Sequence, residues 1–362
     1  NPPKMSRRWI LTGQEGFETS LEYQRDVKVP SAGELGPKDV LVELHAASLN
    51  YRELVIAGPA GINGPINPPI VPGCDGAGTV KAVGPAVQEF HVGDRVITYL
   101  ASKLAERDGD DALAGLADAV LCLGQGDDGT LRSHGVFPEV GLVHAPKSLG
   151  WLPAATLTCN WTTAWNAFFG LKGHHVEPDS WVLVQGTGGV SVACLQLAAA
   201  AGANVVATTS SDEKATRLKA LGAKHTVNYR TSPDSWGQEA RSFTPGGRGF
   251  DFVIDIGGNE TLAQSLASVR VDGLVQVVGG VGANADAVPL FSVLLHTCVV
   301  RGILAGSRTH LKEAVRFIDE KGIVPAVDDE VFELEEAKEA YRRLKEKKHF
   351  AKVVIKIDHP EA

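Results

Sequence analysis

Four residues, Gly186-Thr187-Gly188-Gly189, stand between a continuously apolar strand, Trp181-Val182-Leu183-Val184-Gln185, and a helix-length segment at 190–201. Glycines at a strand-to-helix turn bring bare backbone N–H groups to the positive end of a helix, where a pyrophosphate binds. Gly186 and Gly188 fit the G-x-G-x-x-G pattern, Gly189 adds a further close approach, and Ser191 holds the third small position. A tight turn without a ligand leaves three glycines in four residues unexplained. The rhythm then repeats, with strands at 204–209, 225–229, 250–255 and 273–278 and helices at 212–221 and 259–269. Apolar strands alternating with helices build a parallel sheet covered on both faces. This half therefore reads as a doubly wound dinucleotide-binding unit.

The end of the second strand separates NAD from NADP. An acidic residue about 20 positions after the first glycine holds the ribose 2′-hydroxyl of NAD. Here that place falls at Thr208 or Thr209, and Ser210, Ser211, Lys214 and Arg217 follow. Hydroxyls and cations suit a 2′-phosphate, so NADP(H) is the expected cofactor. Lys214 and Arg217 also fit a solvated helix face, and Asp212 and Glu213 read as acids at a helix N-terminus.

Before residue 155 the chain is β-rich, with strands at 40–44, 78–83 and 94–100 separated by Pro and Gly clusters, which predicts a small barrel-like domain. The last sixty residues predict helices at 311–321 and 335–347 and a half-buried alternating strand at 352–357. Hydrophobic residues make up 44% of the 362, enough for a sizeable core. A net charge of −8 argues against nucleic-acid or anionic-membrane partners. The most apolar stretch, 190–208, is broken by Gln196, Gly202 and Asn204, so no membrane span is expected. Met5 is the sole methionine and the expected native start. No secretory signal follows it, and five scattered cysteines suggest a reducing compartment, so the cytoplasm is the expected location.

Several motifs run in order over about 300 residues. They are Pro72-Gly73-Cys74-Asp75-Gly76-Ala77-Gly78-Thr79-Val80 with Val83-Gly84, and Phe90-His91-Val92-Gly93-Asp94-Arg95-Val96. Thr163-Ala164-Trp165 precedes the glycine turn, and Ala201-Gly202-Ala203 and Leu221-Gly222-Ala223 close two helices. On these the chain resembles the medium-chain dehydrogenase/reductase superfamily, in its quinone oxidoreductase and zinc-type alcohol dehydrogenase-like branches. The resemblance implies a GroES-like β-barrel-type catalytic domain made from residues 1–159 and 303–362, with a Rossmann domain inserted at 160–302. It implies cofactor contacts at Gly186, Thr187, Gly188, Gly189, Val190, Thr209, Ser210, Ser211 and Lys214. Thr163, Gly279, Val281, Leu304, Gly306 and Ser307 are expected near the nicotinamide, and Tyr229 near the 2′-phosphate. A homodimer through sheet extension at 297–304 is also implied.

Zinc-dependent members carry a catalytic Cys, a His-Glu pair and a second Cys. On this chain those positions read Asn50, Cys74-Asp75 and Cys159. Two thiols and a carboxylate make a zinc site chemically possible, and with it an alcohol or aldehyde dehydrogenase. Asn50 is a poor ligand, and two small buried thiols are the plainer reading. The segment that holds a structural zinc in such relatives has only Cys122 here, so none is expected there. His45, His134, His174 and His175 show no metal-ligand spacing and read as surface or satisfied core residues.

Without a metal, a quinone or an α,β-unsaturated carbonyl is the better substrate, because it takes hydride at a conjugated carbon with less electrophilic help. The pocket positions implied by the resemblance are Asn50, Tyr51, Arg52, Cys74 and Trp161, with Tyr51 as a donor and Trp161 as a flat wall. Ordinary packing is the competing reading for each. The tyrosine of enoyl-thioester reductases is missing from Ala57-Gly58-Pro59-Ala60-Gly61. A catalytically idle NADP(H)-binding scaffold is the remaining alternative.

Overall fold

A computed structural model describes residues 5–280 and 285–359. The chain divides into two compact units, Asn1–Thr162 with Ser307–Ala362, and Thr163–Gly306. In chain order the first unit contributes β1 (Met5–Leu11), β2 (Leu21–Lys28), β3 (Asp39–Leu49), β4 (Asp75–Val83), β5 (Arg95–Thr98), β6 (His134–Pro138) and β7 (Leu142–His144). The second contributes β8 (Trp181–Gln185), β9 (Asn204–Thr209), β10 (Ala223–Asn228), β11 (Phe250–Asp255), β12 (Val269–Val277) and β13 (Val299–Gly302). The chain then returns to the first unit for β14 (Val331–Glu333) and β15 (Val353–Lys356).

In the first unit β1 and β2 form an antiparallel pair, and a larger sheet runs β14-β15-β3-β4-β5-β7, with β6 also paired to β3. The eleven-residue β3 is its organiser, with antiparallel partners β15, β4 and β6. Close approach of β4 depends on Gly78, where a Cβ would stand 2.2 Å from the Glu43 carbonyl oxygen. The expectation of a half-buried last strand needs correction. Lys352 and Val353–Ile355 are buried and only Lys356 of β15 is exposed, because helices Ala337–Lys345 and Trp151–Ala154 pack on this strand.

The second unit is a six-stranded, all-parallel sheet in the order β10-β9-β8-β11-β12-β13. The first strand lies in the middle, and the winding reverses between β8 and β11, where such sheets bind ligands at the carboxyl ends of their strands. Trp181, Leu183, Val206, Phe250, Val253 and Val275 share one buried cluster, so the continuously apolar runs are explained by helices on both faces. Predicted boundaries move, most of all at β12, which begins at Val269 and not at 273. The helix expected at 259–269 spans only Leu262–Ser268, because Val269 already pairs with Phe250 as the first residue of β12. No helix among the described residues is long and apolar enough to cross a membrane.

Candidate active site

The glycine turn lies at the reversal point of the parallel sheet. Gly186 has φ +75°, which a glycine adopts without strain, and its N–H donates to the Thr208 carbonyl at 3.0 Å. Gly188 is the N-cap of helix Gly189–Ala200, with Val190 in its first turn. A Cβ on Gly188 would meet no protein atom within 4 Å, so the space over this helix end is open. Thr187 lies between the two glycines. Ser191 Oγ donates to the Gln185 carbonyl at 2.6 Å and fastens the helix to β8. These features fit a pyrophosphate, with N–H donors at the positive end of a helix dipole.

Opposite, Asp255 closes β11. It accepts Gly258 N at 2.9 Å, Thr261 Oγ at 2.9 Å and Ser265 Oγ at 2.5 Å. Burial pushes its carboxyl above the usual range against these donors. The network shapes the loop at Gly258, whose would-be Cβ comes within 3.2 Å of Gly280 Cα. Gly279 packs as closely on the Ile256 carbonyl. Val281 lies outside the described residues.

Thr209 ends β9 and is buried, and its carbonyl accepts the Tyr229 N–H at 3.1 Å. Tyr229, 38% exposed, is thereby held beside Thr209 and Ser210. Ser211 caps helix Asp212–Ala220, its Oγ accepting Lys214 N at 3.2 Å. That bond stabilises the helix by about 1 kcal/mol and ties the expected phosphate hydroxyl to a structural task as well. Thr163 is buried in helix Leu157–Phe169. Leu304 is half-exposed and Gly306 ends this unit. Ser307 begins the other unit's last segment, where its hydroxyl caps helix Arg308–Lys321.

A polar cluster fills the first unit at the ends of β3, β4 and β15. Its centre is Asp75, fully buried. Oδ1 accepts Cys74 Sγ at 3.3 Å and Cys159 N at 3.1 Å, while Oδ2 accepts Ser48 Oγ at 2.9 Å and Lys352 Nζ at 3.0 Å. The Lys352 ammonium also donates to Asn50 Oδ1 at 2.6 Å and to the Leu49 carbonyl at 2.7 Å. Asn50 Nδ2 lies 3.4 Å from Cys74 Sγ. Helix Tyr51–Ala57 starts here, with Asn50 N donating to Glu53 Oε2 at 2.5 Å. Arg52 is held by Glu53 Oε1 at 3.0 Å and the Leu123 carbonyl at 2.9 Å. Tyr51 is half-exposed and Trp161 is buried.

A family model described as zinc-binding dehydrogenase matches residues 189–320, and one described as alcohol dehydrogenase GroES-like domain matches residues 36–147. A zinc-type alcohol dehydrogenase-like protein of Schizosaccharomyces pombe is 42% identical over 360 residues, covering 98% of this chain and 100% of that one. The chain belongs to the medium-chain dehydrogenase/reductase superfamily. It is an oxidoreductase of that family, as its relatives are. The solved structure of an NAD-dependent alcohol dehydrogenase superposes with a TM-score of 0.82 at 35% identity, covering 97% of this chain and 100% of that one. A quinone oxidoreductase of Pseudomonas syringae pv. Tomato DC3000 gives a TM-score of 0.75 at 26% identity, covering 97% and 99%.

In this dehydrogenase/reductase the residues at the zinc positions do not fit the metal in the family description. Both oxygens of Asp75 are already engaged, and a buried ammonium stands 3.0 Å from the carboxylate, where it repels a dication. Burial, a hydrogen bond with Cys159, and the Glu53 and Asp75 charges hold the Cys74 thiol well above its ordinary range. Zinc takes thiolate. Among the described residues, Glu43, His45 and His359 form the three-donor group within 4.8 Å; Cys74, Asp75 and Cys159 do not. Sequence reasoning missed Lys352 and Ser48. The available signal was a lysine directly before the apolar run Val353-Val354-Ile355, which a solvated edge strand does not require.

Proposed function

We propose that the chain is a zinc-independent, NADPH-dependent reductase of quinones or α,β-unsaturated carbonyls. The observation that carries this reading is the Lys352 ammonium bound to Asp75 and Asn50, which puts an organic cation among the positions where zinc-dependent relatives keep their ligands. The bound dinucleotide supplies the hydride. Gly186, Thr187, Gly188 and Gly189 hold its pyrophosphate, and Ser210, Ser211, Lys214 and Tyr229 receive the 2′-phosphate. No carboxylate at the end of β9 opposes that phosphate. Lys352 orients the Asn50 amide through Oδ1, so that Nδ2, whose partner here is the weak acceptor Cys74 Sγ, can donate to a substrate carbonyl. Tyr51, half-exposed, is the proton donor. Arg52, tied to Glu53 and Leu123, is a positioning residue.

Likeness to a quinone oxidoreductase supports the substrate class. We infer a homodimer built on β13, one of the sheet's two edge strands, beside the exposed Leu290, Phe291, Leu294 and Leu295. Five free cysteines fit a cytoplasmic protein. The test is NADPH oxidation with a simple quinone and a simple enone, with and without a strong zinc chelator, and with NADH in parallel. Turnover indifferent to chelator and favouring NADPH is expected. Chelator-abolished turnover would return the zinc dehydrogenase, preference for NADH would reverse the cofactor assignment, and absence of turnover would favour the idle scaffold.

A further inference from the structure

Away from the Asp75 cluster, the opposite part of β3 carries a second concentration of titratable groups. Glu43 and His45 are two residues apart on this strand, so their side chains leave the same face. The segment after β15 runs beside them, held by Ile357 N donating to the His45 carbonyl at 2.9 Å. It delivers His359. One donor atom from each of Glu43, His45 and His359 lies within 4.8 Å of the other two. A point among three such atoms is within about 2.8 Å of each, ~0.7 Å beyond zinc–nitrogen and zinc–oxygen bonds of roughly 2.0–2.2 Å.

The surroundings set these groups up as ligands. His359 Nε2 donates to the Leu44 carbonyl at 2.7 Å. A carbonyl only accepts, so the lone pair of the neutral ring is on Nδ1, which faces Glu43 Oε2 at 3.9 Å. A ring N–H donated to a backbone carbonyl is the arrangement that orients metal-binding histidines. His45 Nε2 meets Thr79 Oγ1 at 2.9 Å, and its ring packs on Trp151. His134 Nε2 donates to Glu43 Oε2 at 3.2 Å from behind, and Lys81 takes Oε1 at 3.3 Å. Unlike the buried Lys352 beside Asp75, Lys81 is 42% exposed, so its ammonium can swing into solvent and yield that oxygen to a cation. An open groove of about 570 Å³, lined by His45, Trp151, Pro153, Lys356 and His359, gives access from solvent.

We propose that Glu43, His45 and His359 bind one divalent transition-metal ion of the zinc class, a site separate from the Asp75 cluster. Two imidazoles and one carboxylate suit Zn²⁺, Co²⁺ or Cu²⁺ and leave positions for water. The ion clips the segment after β15 to β3 and so fastens the returning end of the chain to the sheet's organising strand.

Co²⁺ titration of the full chain, stripped of metal by chelator, tests this. One Co²⁺ per chain is expected, with a visible tetrahedral or five-coordinate spectrum and no thiolate-to-cobalt charge-transfer band. His359→Ala and His45→Asn should each weaken binding at least ~10-fold, with circular dichroism confirming the fold. The double variant Cys74→Ser/Cys159→Ser should bind as the parent does. Zn²⁺ should raise the melting temperature of the parent and the cysteine variant but not of His359→Ala. A thiolate band, binding unchanged in both histidine variants, or no binding at ~100 μM metal would each overturn the proposal.

Discussion

Lys352→Met removes an ammonium and keeps most of the aliphatic stem. The side chain is 5% exposed and its partner Asp75 is 0% exposed. Loss of Nζ withdraws three donated bonds, of 2.6, 2.7 and 3.0 Å, from Asn50, Leu49 and Asp75. Ser48 Oγ, Cys74 Sγ and Cys159 N remain on Asp75, but the carboxylate loses its adjacent countercharge. Breaking a buried pair from one side costs about 3–5 kcal/mol, roughly two to three and a half decades in the folding equilibrium. Asp75→Asn alone strands the ammonium instead and should cost a similar amount. In the double variant neither charge is left, so much of the penalty should vanish, with an interaction energy of about 2 kcal/mol or more. Urea unfolding followed through tryptophan fluorescence supplies the four free energies, with Trp9, Trp151 and Trp161 reporting on this unit. A single-variant cost below about 1 kcal/mol, or penalties that simply add, would refute the argument that the pair acts as a buried unit.

Gly188→Ala should leave the melting temperature almost unchanged, because its Cβ meets no protein atom within 4 Å, yet weaken dinucleotide binding ~10-fold by filling the cradle, as fluorescence titration would show. Gly186→Val should lose both binding and stability, since φ +75° strains a β-branched residue. Burial holds the thiols of Cys74 and Cys194 well above their ordinary range and that of Cys122 at about 11, so iodoacetamide at pH 8 should leave all three unlabelled in the folded chain, read by peptide mass spectrometry. Leu294→Asp with Leu295→Glu should convert the inferred dimer to a monomer in light scattering; a dimer that persists would move the interface away from the β13 edge.

The elements of the parallel-sheet unit were legible because their determinants are local. An apolar strand, a glycine turn and a helix occupy adjacent positions, and the periodicities of 2 and 3.6 report them directly. Strands β8, β9 and β11 consequently fall where the sequence predicts them. The order of those strands, with β8 beside β11, is a long-range pairing that no single segment carries. The other unit was legible only in part. Asn50, Cys74, Asp75 and Cys159 were recognisable by motif, but their meaning depends on Lys352, which lies 277 residues beyond Asp75 and reads locally as one charge in an alternating strand. Helices packed on β15 bury Lys352 beside Asp75 and make that lysine an internal countercharge. His45 likewise shows no ligand spacing, since the imidazole that completes its group arrives with the returning end of the chain at residue 359. Backbone conformation and amphipathic pattern are properties of neighbouring residues and can be read from the sequence. The partner of a buried charge, and the third donor of a cluster, are properties of the sheet that brings the two ends of this chain together.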